Sequence, residues 1–255
     1  MKKVVVVSDL QVPLHDQRAV NNVAAFIKAY KPDLVVSVGD EADFTGISKW
    51  AHGTPLQYET NLHKEREATI VVLEQLKVQH MIRSNHTDRL FNTIKMRVPE
   101  FRHLPELTLP KFLRLEDLGI TYHEKPWDIT VGGQKTGWLL MHGDEGSLNR
   151  TGGMTALGLA KRAGVKDGGG VVSGHTHRMG LIHHTEAVND KSRTIWGMEC
   201  GTLMSFKDIS YIKGNMHTWQ KGFGILTVDG NKVTPQLIPM HKDGTFMVDG
   251  KVWGK

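Results

Sequence analysis

The sequence predicts an α/β fold in which a parallel or mixed sheet is covered by helices. Three observations point there. The first forty residues run from a β-branched segment through an amphipathic segment to a second β-branched segment, a βαβ opening. Beyond residue 119 strand signals dominate, interrupted by one helical segment. The polar clusters stand where the apolar runs stop, and open α/β sheets bind ligands outside the carboxyl ends of their strands.

Each element follows from a local pattern. Residues 3–8, KVVVVS, form a short β-branched run ended by a polar residue, which predicts a buried strand. Over 17–29, Val20, Val23, Ala24 and Ile27 recur at helical spacing, and Pro32 stops the helix. Residues 34–38, LVVSV, predict a second buried strand, closed by Gly39-Asp40. Residues 44–58 mix Gly, Pro, Trp and His without a period and read as a loop. A charged helix is predicted over 59–76, a strand over 79–84 and a helix over 88–97. Pro99, Pro105 and Pro110 mark 99–117 as an irregular insertion. Strands are then predicted over 119–124, 128–131, 137–142, 170–173, 180–186, 193–199, 223–229 and 232–238, with one helix near 152–163. No repeat, low-complexity tract or linker intervenes, so 1–255 reads as one domain with two β-rich halves.

Composition narrows the class. The chain has 255 residues, 39% hydrophobic and 23% charged, which suits a packed globular core and excludes wholesale disorder. No apolar run is long enough to span a bilayer, and Met1-Lys2-Lys3 lead straight into a Val run too short for a signal peptide. A single cysteine, Cys200, suits a reducing compartment, reads as a buried thiol and cannot close an internal disulfide. These points predict a cytoplasmic protein without a membrane partner. A net charge of +5 permits an anionic partner without demanding nucleic acid. The 14 histidines are more than length alone suggests, and histidine is the commonest metal ligand and acid–base residue.

Five predicted strands end in chemistry: Asp9-Leu10-Gln11, Gly39-Asp40-Glu41-Ala42-Asp43, Ser84-Asn85-His86-Thr87-Asp88-Arg89, His142-Gly143-Asp144 and Gly174-His175-Thr176-His177-Arg178. Carboxylates, a carboxamide and imidazoles without thiolates suit Mn, Fe, Zn, Ni or Mg ions rather than a structural zinc finger. Taken singly, Asp9, Asp40 and Asn85 are residues that favour turns and caps after strands, and Gly39, Gly143 and Gly174 suit tight turns.

As an ordered set, the blocks resemble the calcineurin-like metallophosphoesterases. That family's pattern is D-x-H, GDxxD, GNH with a following acid, a lone H, and GHxH. The matches here are Asp9, Gly39-Asp40 with Asp43, Asn85-His86, His142-Gly143 and Gly174-His175-Thr176-His177. The resemblance implies a four-layer α/β/β/α sandwich of two mixed sheets flanked by helices, with the site at the strand C-terminal ends. It implies two divalent metal ions, Mn²⁺ foremost, with Fe, Zn, Ni or Mg as alternatives. Asp40 would bridge them. Asp9 and His177, with Gln11, would hold one, and Asn85, His142 and His175 the other. His86 would protonate the leaving group, Asp43 would orient it, and Arg89 or Arg178 would grip phosphate oxygens. His15 and His52, next to site loops, are candidate substrate contacts.

Two departures stand out. Gln11 occupies the histidine position of D-x-H, and the third block reads SNHT without the acid. Asp88-Arg89 then follow as in a longer NHxxR version of that block.

The resemblance implies a hydrolase that cleaves phosphoester bonds by in-line attack of a metal-bound hydroxide. Its partner would be a phosphate ester, in the form of nucleotide-type substrates including cyclic nucleotides. A DNA nuclease of the repair-nuclease type is an alternative, motivated by the basic balance. Arg97, Arg102, Lys111 and Arg114 lie near aromatic residues in the insertion, although Glu100, Glu106, Glu116 and Asp117 dilute that surface. A catalytically silent metal-binding module is a third reading. Gln11 and Thr87 favour it, and His86 speaks against it.

Overall fold

The structure is a computed structural model and describes residues 1–207 and 217–254. It confirms the α/β class, with two large mixed sheets flanked by helices. Strand β1 (Lys2–Val7), helix α1 (Gln17–Tyr30) and strand β2 (Leu34–Ser37) form the opening βαβ unit. Then come helices α2 (Pro55–Glu59) and α3 (Leu62–Gln75), strand β3 (His80–Ile82) and helix α4 (Asp88–Arg97). Helix α5 (Leu109–Phe112) and strands β4 (Thr121–His123), β5 (Trp127–Val131) and β6 (Gln134–Leu140) follow. Helix α6 (Met154–Arg162) precedes β7 (Gly170–Ser173), β8 (Met179–Val188) and β9 (Lys191–Cys200). The chain continues through β10 (Gly222–Asp229), β11 (Lys232–Pro239), β12 (Phe246–Val248) and β13 (Lys251–Trp253).

The first sheet has the order β11-β10-β1-β2-β3-β4, and the second β5-β6-β7-β9-β8. In the first, β1 to β4 run parallel, β10 runs antiparallel to β1, and β11 runs antiparallel to β10. In the second, β6, β7 and β9 run parallel and the edges are antiparallel. Strand periodicity sorts β1 between two cores. Val5 and Val7 pack with Val20, Val23 and Phe26 of α1 and Leu73 of α3. Val4 and Val6 face the second sheet, where they meet Trp138, Leu140, Val172 and Met198. On the outer side of the second sheet, Ala156, Leu157 and Ala160 of α6 pack against Val171 and Ile195. The layers are therefore helix, sheet, sheet, helix, and the continuous Val run is explained by burial on both faces. Cys200 is buried in the inter-sheet core, where burial first, then Asp9 and Glu199, push its thiol pKa up.

Three differences from the sequence reading have local causes. The stretch 44–58, read as a loop, holds α2 at its end, where Pro55 opens the helix, and the charged segment 59–76 is one helix that starts only at Leu62, because Thr60 is extended and Asn61 caps α3 by accepting from the Lys64 amide at 3.0 Å. The insertion is more ordered than its prolines suggest. Each proline opens a helical turn, at Pro99–Phe101, Pro105–Leu107 and in α5, because its fixed φ suits the first turn. Strands β12 and β13 form a hairpin that the sequence reading did not include. Asp249 and Gly250 both have positive φ, 51° and 73°, as a two-residue hairpin turn requires. Among the described residues, no helix is long and apolar enough to cross a membrane.

Candidate metal centre

Parallel strands β1, β2 and β3 end side by side, so the loops that follow them are neighbours. The first two are laced together. The Asp9 amide donates to the Gly39 carbonyl at 3.1 Å, Gln11 to Asp40 at 2.9 Å, and Asp43 back to Val12 at 2.9 Å. The loops after β6 and β7 approach from the second sheet, where the Gly174 amide donates to the His142 carbonyl at 2.9 Å. The two sheets meet at Asp9, whose carboxylate accepts from the His175 amide at 3.0 Å and from the Ser8 hydroxyl. Gly174 makes that approach possible, since a Cβ there would collide with Ser8 Oγ and the Asp9 carboxylate. Gly39 has φ +104°, and a Cβ on it would stand 2.5 Å from His142 Nδ1.

The backbone is strained at the same places. Asp9, Gln11, Asp40, His175 and His177 all adopt left-handed φ values between 51° and 66°. Non-glycine residues rarely do so, and such strain clusters where surrounding structure holds a functional geometry.

Two groups of ligand atoms result, each spanning less than 4.8 Å. One contains Asp40, His142 and His175, and the other Asp9, Asp40 and His177, so Asp40 belongs to both. His142 Nδ1 donates to the Val38 carbonyl at 2.8 Å, which in the neutral ring leaves the Nε2 lone pair 3.2 Å from Asp40 Oδ2. Two acceptors so placed call for a cation between them. His177 Nε2 lies 3.1 Å from Asp9 Oδ1. Gln11 Oε1, Asn85 Oδ1, His142 Nε2 and His177 Nδ1 are buried polar atoms without a hydrogen bond. The first three stand beside two buried carboxylates and fit a divalent cation, while His177 faces Asp9 through Nε2 and turns Nδ1 away. The charges agree. Burial opposes charge on Asp40, but His142 and His86 outweigh it and hold its carboxyl well below the usual range. Burial likewise opposes charge on His142, but Asp40 and Asp9 push that imidazole up to about 10. Burial, then His142, pull His175 down.

His86 stands beside the cluster. Its Nδ1 donates to the Asp43 carbonyl at 3.0 Å and lies 3.3 Å from Asp43 Oδ1. Its Nε2 accepts from the Arg89 guanidinium at 2.9 Å and lies 3.8 Å from Asp40 Oδ2. Arg89 also donates to the Asp43 carbonyl. A cleft of about 1150 Å³ opens over Gln11, Asp40, Asn85, His86, His175 and His177, with Trp50, Leu56 and Trp219 as apolar walls.

Three residues suggested by sequence position stand elsewhere. The Arg178 guanidinium is held by Thr218 Oγ1 at 2.6 Å and the Asn149 carbonyl at 2.7 Å, and does not line the cleft. His52 is exposed and meets Arg97 at 2.6 Å. His15 lines a neighbouring cavity and pairs with Gln17 at 3.0 Å. The structure adds supporting residues. Glu199, fully buried, accepts from the Thr176 hydroxyl at 2.5 Å and the Thr155 amide at 2.9 Å, tying the loop of His175 and His177 to the start of α6. Arg83 donates to Asp88 at 2.8 Å and Asp144 at 2.7 Å, joining the loops after β3 and β6. Thr87 turns its hydroxyl inward to the Ser84 carbonyl at 2.9 Å, a turn-closing role that needs no acid. A lone Glu in a strand and a lone Arg beside a motif carry no signal in one sequence. Only the fold shows what they touch.

An α/β sandwich with a shared-carboxylate cluster at its strand ends is the class that fold and site define. By sequence, the protein belongs to the family of the mycobacteriophage Gene 54 proteins. It is 32% identical to the Gene 54 protein of Mycobacterium phage D29 over 259 residues, covering 99% of this chain and 98% of the relative. The Gene 54 protein of Mycobacterium phage L5 is 31% identical over the same coverage. No protein-family model matches. Among solved structures, the chain is similar to vacuolar protein sorting 29 from Cryptosporidium parvum, at TM-score 0.49 and 16% identity over 98% of this chain and 94% of that one. It is similar also to YfcE, a phosphoesterase from E. coli, at TM-score 0.40 and 15% identity over 96% and 97%. Resemblances this distant say nothing of activity.

Proposed function

We propose that the protein is a metal-dependent phosphoester hydrolase acting on nucleotide-type substrates. The observation that carries this reading is the sharing of Asp40 between two groups of buried ligand atoms. Asp9, His177 and Gln11 would hold one divalent ion, and His142, His175 and Asn85 the other. Donors of this kind favour Mn²⁺, with Fe, Zn, Ni and Mg as further ions to test. When bound, such a pair neutralises phosphoryl oxygens and lowers the pKa of a water.

The chain's own residues do the rest. Asp43 holds the His86 ring through Nδ1 and offers its carboxylate to a protonated imidazole. That leaves Nε2, on the Asp40 side, as the atom that carries a proton to the leaving oxygen. Arg89 donates to Nε2 in the free protein. An arriving phosphate is a stronger acceptor for that guanidinium, so substrate binding draws Arg89 away and frees Nε2 to take a proton from water before passing it on. Trp50 and Leu56 supply an apolar wall for a nucleobase.

The test is turnover of bis-p-nitrophenyl phosphate, p-nitrophenyl phosphate and cyclic nucleotides with the metal varied. His86→Ala is expected to lower kcat by about 10²–10⁴-fold while metal binding stays intact. Absence of turnover with every divalent metal excludes the proposal, as does full activity in both His86→Ala and Asp40→Ala.

A further inference from the structure

A second cavity, of about 860 Å³, adjoins the metal cleft, and Trp219 lines both. The wall between them is the pairing of residues 14–16 with 203–205: the Ser205 amide donates to the Leu14 carbonyl at 2.7 Å, and His15 bridges to Met204. Among the described residues, Arg18, Lys207, Lys221 and Lys242 line this cavity, against one acid, Asp16, which is paired with Lys221. Rings lead into it from the metal cluster. Trp219 packs on His177 at 4.5 Å between centroids, Phe206 lies 6.3 Å beyond Trp219, and the Lys221 ammonium sits 5.0 Å over the Phe206 ring.

A ladder of rings flanked by cations suits one ligand chemistry above others. Unpaired bases stack on aromatic faces whatever their identity, while cations follow the phosphates. A mononucleotide bound at the metal cluster would fill one cavity and reach none of Arg18, Lys207 and Lys242 beyond Trp219. A duplex would have to unstack to reach rings that are half-buried in the cavity.

We propose that the second cavity is a subsite for the nucleotide next to the scissile phosphate, and that the substrate is single-stranded nucleic acid. This rests on the hydrolase reading of the cleft and narrows its substrate. The scissile phosphate lies at the metal cluster, its neighbour passes Trp219, and the next phosphate meets Lys207 and Lys242.

Two measurements on the full chain test it. In the first, a fluorescent oligothymidine long enough to cross both cavities is titrated without added metal, and its affinity is followed against salt. Binding is expected to weaken with salt. Phe206→Ala and the double variant Lys207→Ala/Lys242→Ala are each expected to weaken it by about fivefold or more. An oligouridine strand in parallel tells which sugar is accepted, and a duplex of equal length is expected to bind worse. Failure of both strands to bind, equal affinity for the duplex, or indifference to both variants overturns the proposal. In the second, the ratio of kcat/KM for the strand to that for bis-p-nitrophenyl phosphate is expected to fall by about fivefold in the same variants. An unchanged ratio overturns it. If neither compound is hydrolysed, the hydrolase reading fails while the binding measurement still decides the subsite.

Discussion

Gln11 is the residue at which this chain departs most from the pattern it otherwise follows. Its side-chain amide donates to Asp40 Oδ2 at 2.9 Å, and its oxygen is buried without a hydrogen bond. The position is therefore turned toward the cluster although its residue type differs. A carboxamide oxygen is a weaker donor than an imidazole nitrogen for borderline ions. Gln11→His is expected to tighten binding of Zn²⁺ or Mn²⁺ by about tenfold, read by calorimetry on metal-stripped protein. Unchanged affinity would show that the position does not reach the ion. At this scale the proximity of the motif residues was legible: Asp9, Asp40, His142, His175 and His177 stand in one cluster, and Asn85 lines the cleft over it. Arg178 was not legible. Its place after His177 in the chain hides that its guanidinium turns outward to Thr218 and Asn149.

Among the elements, the strand ends supply the site and the strand edges supply a titrating contact. His80 on β3 and His123 on β4 meet at 3.0 Å, and both rings stack on Trp127 of β5, at 4.3 and 4.6 Å. This contact joins an edge of the first sheet to an edge of the second. Burial, then His80, pull the His123 pKa down to about 4, and burial lowers His80 as well. The unfolded chain binds the proton near 6.5, so between pH 6.5 and 4 it holds more protons than the folded one. The contribution of this pair is thus full above pH 6.5 and is lost as pH falls through the window. His123→Phe keeps the stack and removes the His123 part of the titration. Its Tm is expected to fall less than that of the parent between pH 6.5 and 4, and parallel curves would refute the linkage. Long periodic elements such as α1 and β1 were readable because their patterns are local. The break at Thr60 and the turns of the insertion were not, since capping geometry decides them.

For the molecule as a whole, the cluster is where the two sheets are joined by charge. Asp9 and Asp40 come from the first sheet, and His142, His175 and His177 from the second. Divalent ions that bind there bind only the folded chain. A free concentration one hundred times Kd stabilises by about 2.7 kcal/mol. For a chain of this size that raises Tm by about 5–10 °C. Calorimetry of chelator-treated protein with and without Mn²⁺ checks this, and Asp40→Ala, which removes the shared carboxylate, is expected to lose most of the shift.

The sequence by itself determined the α/β class, the five chemical blocks and their order, because each rests on neighbours within one strand or turn. Tertiary structure alone decided that Glu199 steadies Thr176, that Arg178 turns away from the cleft, and that a basic cavity opens beyond Trp219. Those facts depend on residues far apart in the chain meeting across two sheets, and no local pattern encodes the meeting.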